Sequence, residues 1–513
     1  MKNKLAIAFS LLFGLWASAL AQKAPPNIIV ILADDMGYSD LGCMGSEIQT
    51  PNLDQLAGNG VLFTHCYNTS RCCPSRASLL TGLYQHRAGV GDMSQDRGYP
   101  EYQGYLNRQC VTIAEVLQGK GYRTVMAGKW HVGGERPQWP DRRGFDRFFG
   151  IPQGGGLYFY PTEFIDRPIY RNGEPVTPDS ATFYSTDNFT DEAIQFIQEA
   201  QDEQQPFFLY LAYIAPHFPL QAWPEDIAKY DGAYDAGYEA IRQQRFQRQQ
   251  QLGIVSTELT LSPADYPAWN TNKEPDTEAH KMEVYAAQVD RMDQNIGKLV
   301  GALKDMGSLD NTVILFLSDN GASSEEVNRA PDAELGTVHS FASYGKNWAN
   351  VSNTPYRLYK SMTHEGGILT PLIVHWPKGI QQHQLIDQPV HINDIMPTCL
   401  ELAEANYPTQ YQGHNILPLD GKSFAPALNG KVSPHEQLFW EHEGNQAIRE
   451  QDRKLVRRFE QSWELYDLAN DPTELHDLSQ TDTETAERMK KQYQEWMEQH
   501  GVRPWPVKNN ESP

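Results

Sequence analysis

A thiol, a proline, an arginine and an apolar run lie together at residues 72–82, which read Cys-Cys-Pro-Ser-Arg-Ala-Ser-Leu-Leu-Thr-Gly. Pro74 suits the first turn of a helix, where a missing N–H costs no hydrogen bond. Cys72 then sits just ahead of the helix N-terminus, where unpaired N–H groups and the helix dipole favour negative charge. Arg76, one turn on, adds a fixed positive charge with a planar fork of donors. Together they describe an anion site with a reactive sulfur at its edge. Taken alone, adjacent Cys72 and Cys73 also fit two disulfide halves in an exported protein.

Lys129 and His131 close a second segment, Gly-Tyr-Arg-Thr-Val-Met-Ala-Gly-Lys-Trp-His at 121–131. Tyr122 to Ala127 reads as a short buried strand bounded by glycines. If extended geometry persists beyond it, Lys129 and His131 point to the same side, which suits anion binding and proton transfer. Two further apolar runs, Asn27 to Ala33 and Val313 to Leu317, end in Asp34-Asp35 and in Ser318-Asp319-Asn320-Gly321. Such runs fit strands buried on both faces of a parallel sheet, beyond whose carboxyl ends ligands bind. Three carboxylates and an amide meeting there repel without a cation, and oxygen-only ligands suit Ca²⁺ or Mg²⁺. Asp34 or Asp35 individually also fits a helix N-cap. His217, between Pro216 and Pro219, is held on a stiffened backbone. Lys360 precedes Glu365-Gly366-Gly367, with Lys346 as a rival cation and His364 as a supporting or neutral neighbour.

These segments resemble the type I sulfatases. Cys72 to Gly82 matches that family's Cys-x-Pro-Ser-Arg and Leu-x-Thr-Gly signature position for position, and 121–131 resembles its second signature. The resemblance implies that a formylglycine-generating enzyme oxidises Cys72 to formylglycine, whose hydrated aldehyde is the nucleophile. It implies a cation, Ca²⁺ or Mg²⁺, held by Asp34, Asp35, Asp319, Asn320 and the modified Cys72. It also implies roles in turnover: Asp319 assists attack on sulfur, and His217 protonates the departing alcohol. Arg76, Lys129 and Lys360 stabilise charge on the sulfate, while His131 takes the proton that lets sulfate leave. The implied substrate is a sulfated carbohydrate or an aryl sulfate, contacted by Lys129, His217 and Lys360. His339 and Trp348 are candidate sugar-binding residues, as is the aromatic stretch 154–160, because aromatic walls stack on sugar rings. A phosphonate monoester or phosphodiester hydrolase of the same fold is one alternative. A non-catalytic sulfated-glycan-binding relative is another, but such a protein has no need of Cys72, Lys129 and His131 together.

The elements that must position these groups alternate. Strand-like runs at 27–33, 122–127, 207–214, 313–317 and 372–376 are separated by helical patterns at Ile113 to Gly119, Asp191 to Glu199 with Thr190 as N-cap, and Lys281 to Leu303. This alternation is the α/β pattern of a mostly parallel sheet covered on both sides, and the resemblance implies the alkaline-phosphatase-like fold. Arg242 to Gln251 reads as an exposed helix and 252–280 as a surface insertion. The expected division is a signal peptide at 1–21, a catalytic domain at 22–420 and a C-terminal subdomain at 421–513. The last contains short strands at Lys454 to Phe459 and Trp463 to Leu468, with a polar helix near Thr483 to His500, and resembles the small antiparallel α+β module of sulfatases.

Lys2 and Lys4, the apolar run Leu5 to Trp16 and Ala19-Leu20-Ala21 form a leader cut after Ala21, which predicts a periplasmic or secreted protein without a membrane anchor. The formal net charge of −22 argues against a nucleic-acid partner. Six cysteines are few for 513 residues and demand no disulfide framework. Composition leaves the oligomeric state open.

Overall fold

A computed structural model of the chain describes residues 25–162, 164–431 and 435–509. The leader at 1–21 lies outside the described residues. Apolar, β-branched runs build an 11-stranded sheet. Its strands are β1 (Asn27–Asp34), β2 (Val61–Tyr67), β3 (Arg123–Lys129), β4 (Arg147–Ile151), β5 (Ile169–Arg171), β6 (Glu174–Val176), β7 (Phe207–Pro216), β8 (Thr312–Ser318), β9 (Leu369–His375), β10 (Gln384–Ile386) and β11 (Val390–His391). The order is β10-β2-β9-β8-β1-β7-β3-β4-β5-β6, with β11 pairing β2. From β8 to β4 the strands are parallel, while β9 runs antiparallel to both β8 and β2. The sheet is therefore mixed and mostly parallel at its centre.

Side chains of β1 alternate between two cores. Ile29 and Ile31 pack with the helices Ser185–Asp202 and Pro275–Asp305, through residues such as Phe189, Phe196, Met292 and Leu299. Ile28, Val30 and Leu32 pack on the other face with the helices Cys72–Thr81, Ile113–Gly119 and Ile395–Leu402. Burial on both faces is why these strands are apolar throughout rather than alternating.

Three expectations are corrected. The helix expected from Asp191 starts at Ser185, because Phe189, Ala193 and Phe196 form an apolar stripe that needs the earlier turn. Thr190 lies buried inside it, its hydroxyl bonded to the Thr186 carbonyl and the Tyr213 hydroxyl, and it is not an N-cap. The helix Gly237–Leu252 is not simply exposed: Arg242, Arg245 and Gln249 are buried, and Arg245 pairs with Asp40 and Glu47. The surface segment after it ends at residue 274, since Pro275 opens the long helix at a position where proline is favoured.

Beyond a two-stranded ribbon of β12 (Gln410–Tyr411) and β13 (His414–Asn415), a second sheet forms from β14 (Gln437–His442), β15 (Asn445–Glu450), β16 (Arg453–Arg457) and β17 (Glu464–Asp467). All its pairings are antiparallel. Ile448, Leu455 and Leu465 on one face meet Met489, Tyr493 and Trp496 of the helix Thr483–His500. Trp440, Ala447, Val456 and Tyr466 on the other face join the main core. The small sheet is thus packed into the large domain through an apolar face.

Candidate active site

Parallel register brings the chemistry to one end of the sheet. Ala33 lies opposite Ser318 and Asp34 opposite Pro216, so Asp34 and Asp35, Asp319 and Asn320, and His217 emerge side by side. Lys129 ends β3, the next strand but one from β1. His131 does not continue the extended strand: its φ is +61°, a left-handed turn that swings the ring toward the site. Lys129 and His131 therefore converge through a turn, not through strand alternation. Gly154 permits this, because a Cβ there would fall 2.0 Å from His131 Nε2.

Cys72 is the first residue of the helix Cys72–Thr81 and is 3 % exposed. Its sulfur, that of Cys73 and a His131 ring nitrogen lie within 4.8 Å of one another. A hydrogen bond from Cys73, opposed by burial and helped by Lys129 and His131, pulls the Cys72 thiol well below its ordinary range. Burial pushes the His131 imidazole down, so it is neutral at neutral pH, and its Nδ1 has no hydrogen-bond partner. Arg76 is fully buried: Nε and Nη2 donate to Asp319 Oδ2 at 3.1 and 2.8 Å, and Nη1 donates to the Lys129 carbonyl. All six cysteines are free thiols.

Three carboxylates and three cations share this end of the sheet. Lys129 Nζ donates to Asp34 Oδ2 at 2.5 Å and Lys360 Nζ to Asp35 Oδ2 at 2.8 Å. Burial works against ionisation of Asp34, but Lys129, His217 and Arg76 outweigh it and hold that carboxyl well below the usual range. Burial and the Asp34 charge push Asp319 well above it. Two buried oxygens, Asp34 Oδ1 and Asn320 Oδ1, have no hydrogen-bond partner, which leaves acceptors of a kind a hard cation takes. Oxygen atoms of Asp34 and Asp35 and a His217 nitrogen also lie within 4.8 Å of one another. The donor set of Asp34, Asp35, Asp319 and Asn320 therefore fits a divalent ion.

His217 Nδ1 donates to the Phe218 carbonyl at 2.6 Å, and Nε2 lies 3.5 Å from Asp35 Oδ2. With Nδ1 holding its proton, Nε2 carries one only in the imidazolium form. Cys72, His131, His217 and Lys360 all line one pocket of about 680 Å³. Lys346 stands away from them, half-exposed and paired with Asp265.

His339 and Trp348 are not part of this pocket. His339 lines a separate cavity of about 820 Å³ with Phe159, Tyr160 and Trp223. Trp348 is fully buried among Tyr234, Tyr238 and Trp269, and its Nε1 donates to the Glu278 carbonyl, so no substrate can reach it. Its apolar, helical context was readable as packing. Conversely, Arg71, Gln153, Arg167 and Glu325 line the pocket that holds Cys72 and were not anticipated. Arg71 stands beside the thiol and could have been found by adjacency. Glu325 sits in an irregular loop with no pattern to mark it.

The segment 360–367 joins this pocket to the small sheet. Glu365 Oε1 takes a bond from Lys454 Nζ at 2.5 Å and Oε2 one from the Tyr67 hydroxyl at 2.8 Å. Lys454 also pairs with Glu474, whose Oε2 accepts the Glu365 backbone N–H. His364, buried, bonds Glu464 and has no place in the pocket.

Comparisons with known proteins agree with this geometry. The Sulfatase family model matches residues 26–405, and one described as N-sulphoglucosamine sulphohydrolase, C-terminal, matches 356–501. An uncharacterized sulfatase of Schizosaccharomyces pombe is 37 % identical over 90 % of this chain and 91 % of its own. An arylsulfatase of Klebsiella aerogenes is 36 % identical over 83 % and 96 %. The solved structure of Ps i-CgsB in complex with k-i-k-neocarrahexaose superimposes with a TM-score of 0.71 at 30 % identity, covering 92 % of each chain. With a matching family model over most of its length and a relative aligned along nine-tenths of it, the chain belongs to the sulfatase family and is a sulfuric ester hydrolase.

Proposed function

We propose that the protein cleaves sulfate monoesters of a carbohydrate, releasing inorganic sulfate, with Cys72 matured to formylglycine and Ca²⁺ or Mg²⁺ bound by Asp34, Asp35, Asp319 and Asn320. The observation that carries this reading is Cys72 at a helix N-terminus, in one pocket with His131, His217 and Lys360. When present, the hydrated aldehyde supplies one hydroxyl for attack on sulfur and a second for sulfate release, and the cation neutralises charge on the ester.

The chain's own groups supply the rest. Lys129 and Lys360, at 1 % and 2 % side-chain exposure, offer ammonium groups for sulfate oxygens. Arg76 holds Asp319 in place through two hydrogen bonds and adds fixed positive charge beneath the reacting centre. His217, as imidazolium, delivers its Nε2 proton to the departing alcohol. His131, kept neutral by burial, takes the proton whose loss expels sulfate.

The sugar preference is supported by the polar pocket wall, with Ser94, Gln103, Gln138 and Gln153, and by the likeness to Ps i-CgsB, whose structure was solved with k-i-k-neocarrahexaose. Two measurements test the reading. Mass spectrometry of the Cys72 peptide, from protein made with a formylglycine-generating enzyme, should show the aldehyde mass. Turnover of nitrophenyl sulfate should exceed that of a phosphodiester or a phosphonate monoester; the reverse order would assign a phosphonate or phosphodiester hydrolase. We also place the mature protein outside the cytoplasm. N-terminal sequencing of exported material should begin at Gln22.

A further inference from the structure

Among the described residues lining the pocket, Glu325 is the carboxylate outside the proposed metal-ligand set that pairs with Lys360. It lies in the loop after β8. Its Oε2 accepts from Lys360 Nζ at 2.9 Å and from the Ser323 hydroxyl at 3.0 Å, and its Oε1 is 3.6 Å from Arg71 Nη2. The side chain is 35 % exposed, against 2 % for Lys360, so it marks the boundary between the sulfate-binding floor and the open part of the pocket. Burial opposes its ionisation, yet Lys360, Arg71 and His217 hold its pKa at about 2, and it stays charged.

A sulfate ester seated at Cys72 and Lys360 must direct its carbon skeleton past this carboxylate. Asp96 and Glu135 add negative charge to the lining of the same pocket. Of the two guanidinium groups there, Arg71 is held by the Ser361 hydroxyl at 2.8 Å as well as by Glu325, and Arg167 is bonded through Nε to the Gly154 carbonyl at 2.7 Å. The cations that take one sulfate are at the floor, and what meets the remainder of the substrate is mainly acceptors and amides. A hydroxyl next to the ester finds a charged acceptor here. A second sulfate or a carboxylate at that place finds like charge, which costs more than an ordinary polar mismatch.

We propose that Glu325 is a specificity residue, accepting a hydrogen bond from a hydroxyl beside the scissile ester and excluding rings with a second anionic group there. The substrate class is then a monosulfated, otherwise neutral sugar. This rests on the sulfatase reading above and deepens it.

The test compares nitrophenyl sulfate with the same ester carrying a ring sulfonate, in wild type and in Glu325→Gln, Glu325→Ala and Glu325→Asp proteins. Comparing each ester across variants cancels its intrinsic reactivity, and any general effect on Lys360 acts on both esters alike. In Glu325→Gln and Glu325→Ala the kcat/KM of the sulfonated ester relative to the plain one should rise about tenfold, while Glu325→Asp should keep the wild-type ratio within a few-fold. A ratio unchanged in both neutral variants would overturn the proposal. If converted wild-type protein turns over neither ester, the sulfatase reading fails. Calorimetric binding of the two esters to Cys72→Ala protein, with and without Glu325→Gln, then reads the same ratio without turnover and decides the role of Glu325 independently.

Discussion

Two buried ionic clusters sit on either side of the segment 360–367, and they are finished differently. Around Glu365 both carboxylate oxygens accept hydrogen bonds, from Lys454 and the Tyr67 hydroxyl. Glu474 takes a backbone N–H on Oε2 and has Lys454 Nζ 2.8 Å from Oε1, an ion pair without a hydrogen bond but closer than the 3.6 Å between Arg76 Nη2 and Asp34 Oδ1. Around Asp34 the charges also balance, yet Asp34 Oδ1 and Asn320 Oδ1 are buried without a hydrogen bond, and Asp319 is pushed well above its ordinary pKa by burial and by Asp34. Buried ion pairs are costly unless each group is fully met. A saturated cluster reads as structural, whereas one with spare acceptors stores unfavourable energy that a ligand can relieve. The same chemical change should therefore have different consequences in the two places.

The largest expected effect is on catalysis. Asp319→Asn should lower turnover by ~10³-fold or more, while chelator-treated protein should lose less stability than Glu365→Gln does, because the amide oxygen still accepts from Arg76 and a carboxylate crowded by Asp34 is removed. Turnover and urea midpoints measured on one preparation decide it; a large loss of stability would make Asp319 a structural anchor instead. His217→Ala should cost ~10²–10⁴-fold on a sulfated sugar and distinctly less on nitrophenyl sulfate, whose phenolate leaves without a proton. Equal losses on both would remove the general-acid role. On the other side of the comparison, Glu365→Gln should destabilise by about 3 kcal/mol, seen as a lower urea midpoint at unchanged slope. A neutral outcome there would erase the distinction between the clusters. Saturating Ca²⁺ should raise the melting temperature of wild type, reflecting a stabilisation of ~2.7 kcal/mol at a hundred times Kd. It should leave Asp319→Asn almost unaffected and raise Glu365→Gln as much as wild type.

The smallest effect concerns protons. Burial lowers the pKa of His65 and His391 from 6.5 to about 4 and that of His442 to about 3. The folded state thus binds fewer protons than the unfolded chain between these values and 6.5, so stability should fall as pH drops through that window. Urea midpoints at pH 7, 6 and 5 should decrease in order, and His442→Asn should flatten the trend by up to ~1.4 kcal/mol per pH unit. A flat wild-type profile would show these rings protonated in the fold.

Sequence exposed most of what the parallel sheet positions. Residues at the ends of apolar strands, Asp34, Asp35, Lys129, His217 and Asp319, come together because a strand buried on both faces is continuous in sequence and stops where the chain must turn to the site. β2 escaped notice because Thr64 and His65 interrupt its apolar run, although they bond each other and the Thr64 hydroxyl donates to the Ile386 carbonyl. Arg242 and Arg245 misled because a Gln- and Arg-rich helix reads as solvated, and only the fold reveals that Asp40 and Glu47 lie across from Arg245. Glu325 and the Glu365–Lys454 pair depend on contacts between distant segments, which leave no local periodicity. Trp348 shows the reverse error, since an aromatic residue near a site is as readily core as sugar wall.

One consequence of the 360–367 segment lies in the order in which the chain is made. Lys360 serves the pocket, and five residues later Glu365 is held by Lys454 and Glu474 of the last-synthesised part of the protein. A nascent chain that has passed residue 400 already possesses Cys72, Asp34, Asp35, Asp319, Asn320 and both pocket histidines, yet lacks Lys454 and Glu474, which hold Glu365 five residues beyond Lys360. Completion of the pocket thus waits on the C-terminus. On the proposed reading, a chain cut short before Lys454 would carry every proposed reacting group and still hold Lys360 loosely, so truncation there is a way to lose the enzyme without touching its chemistry.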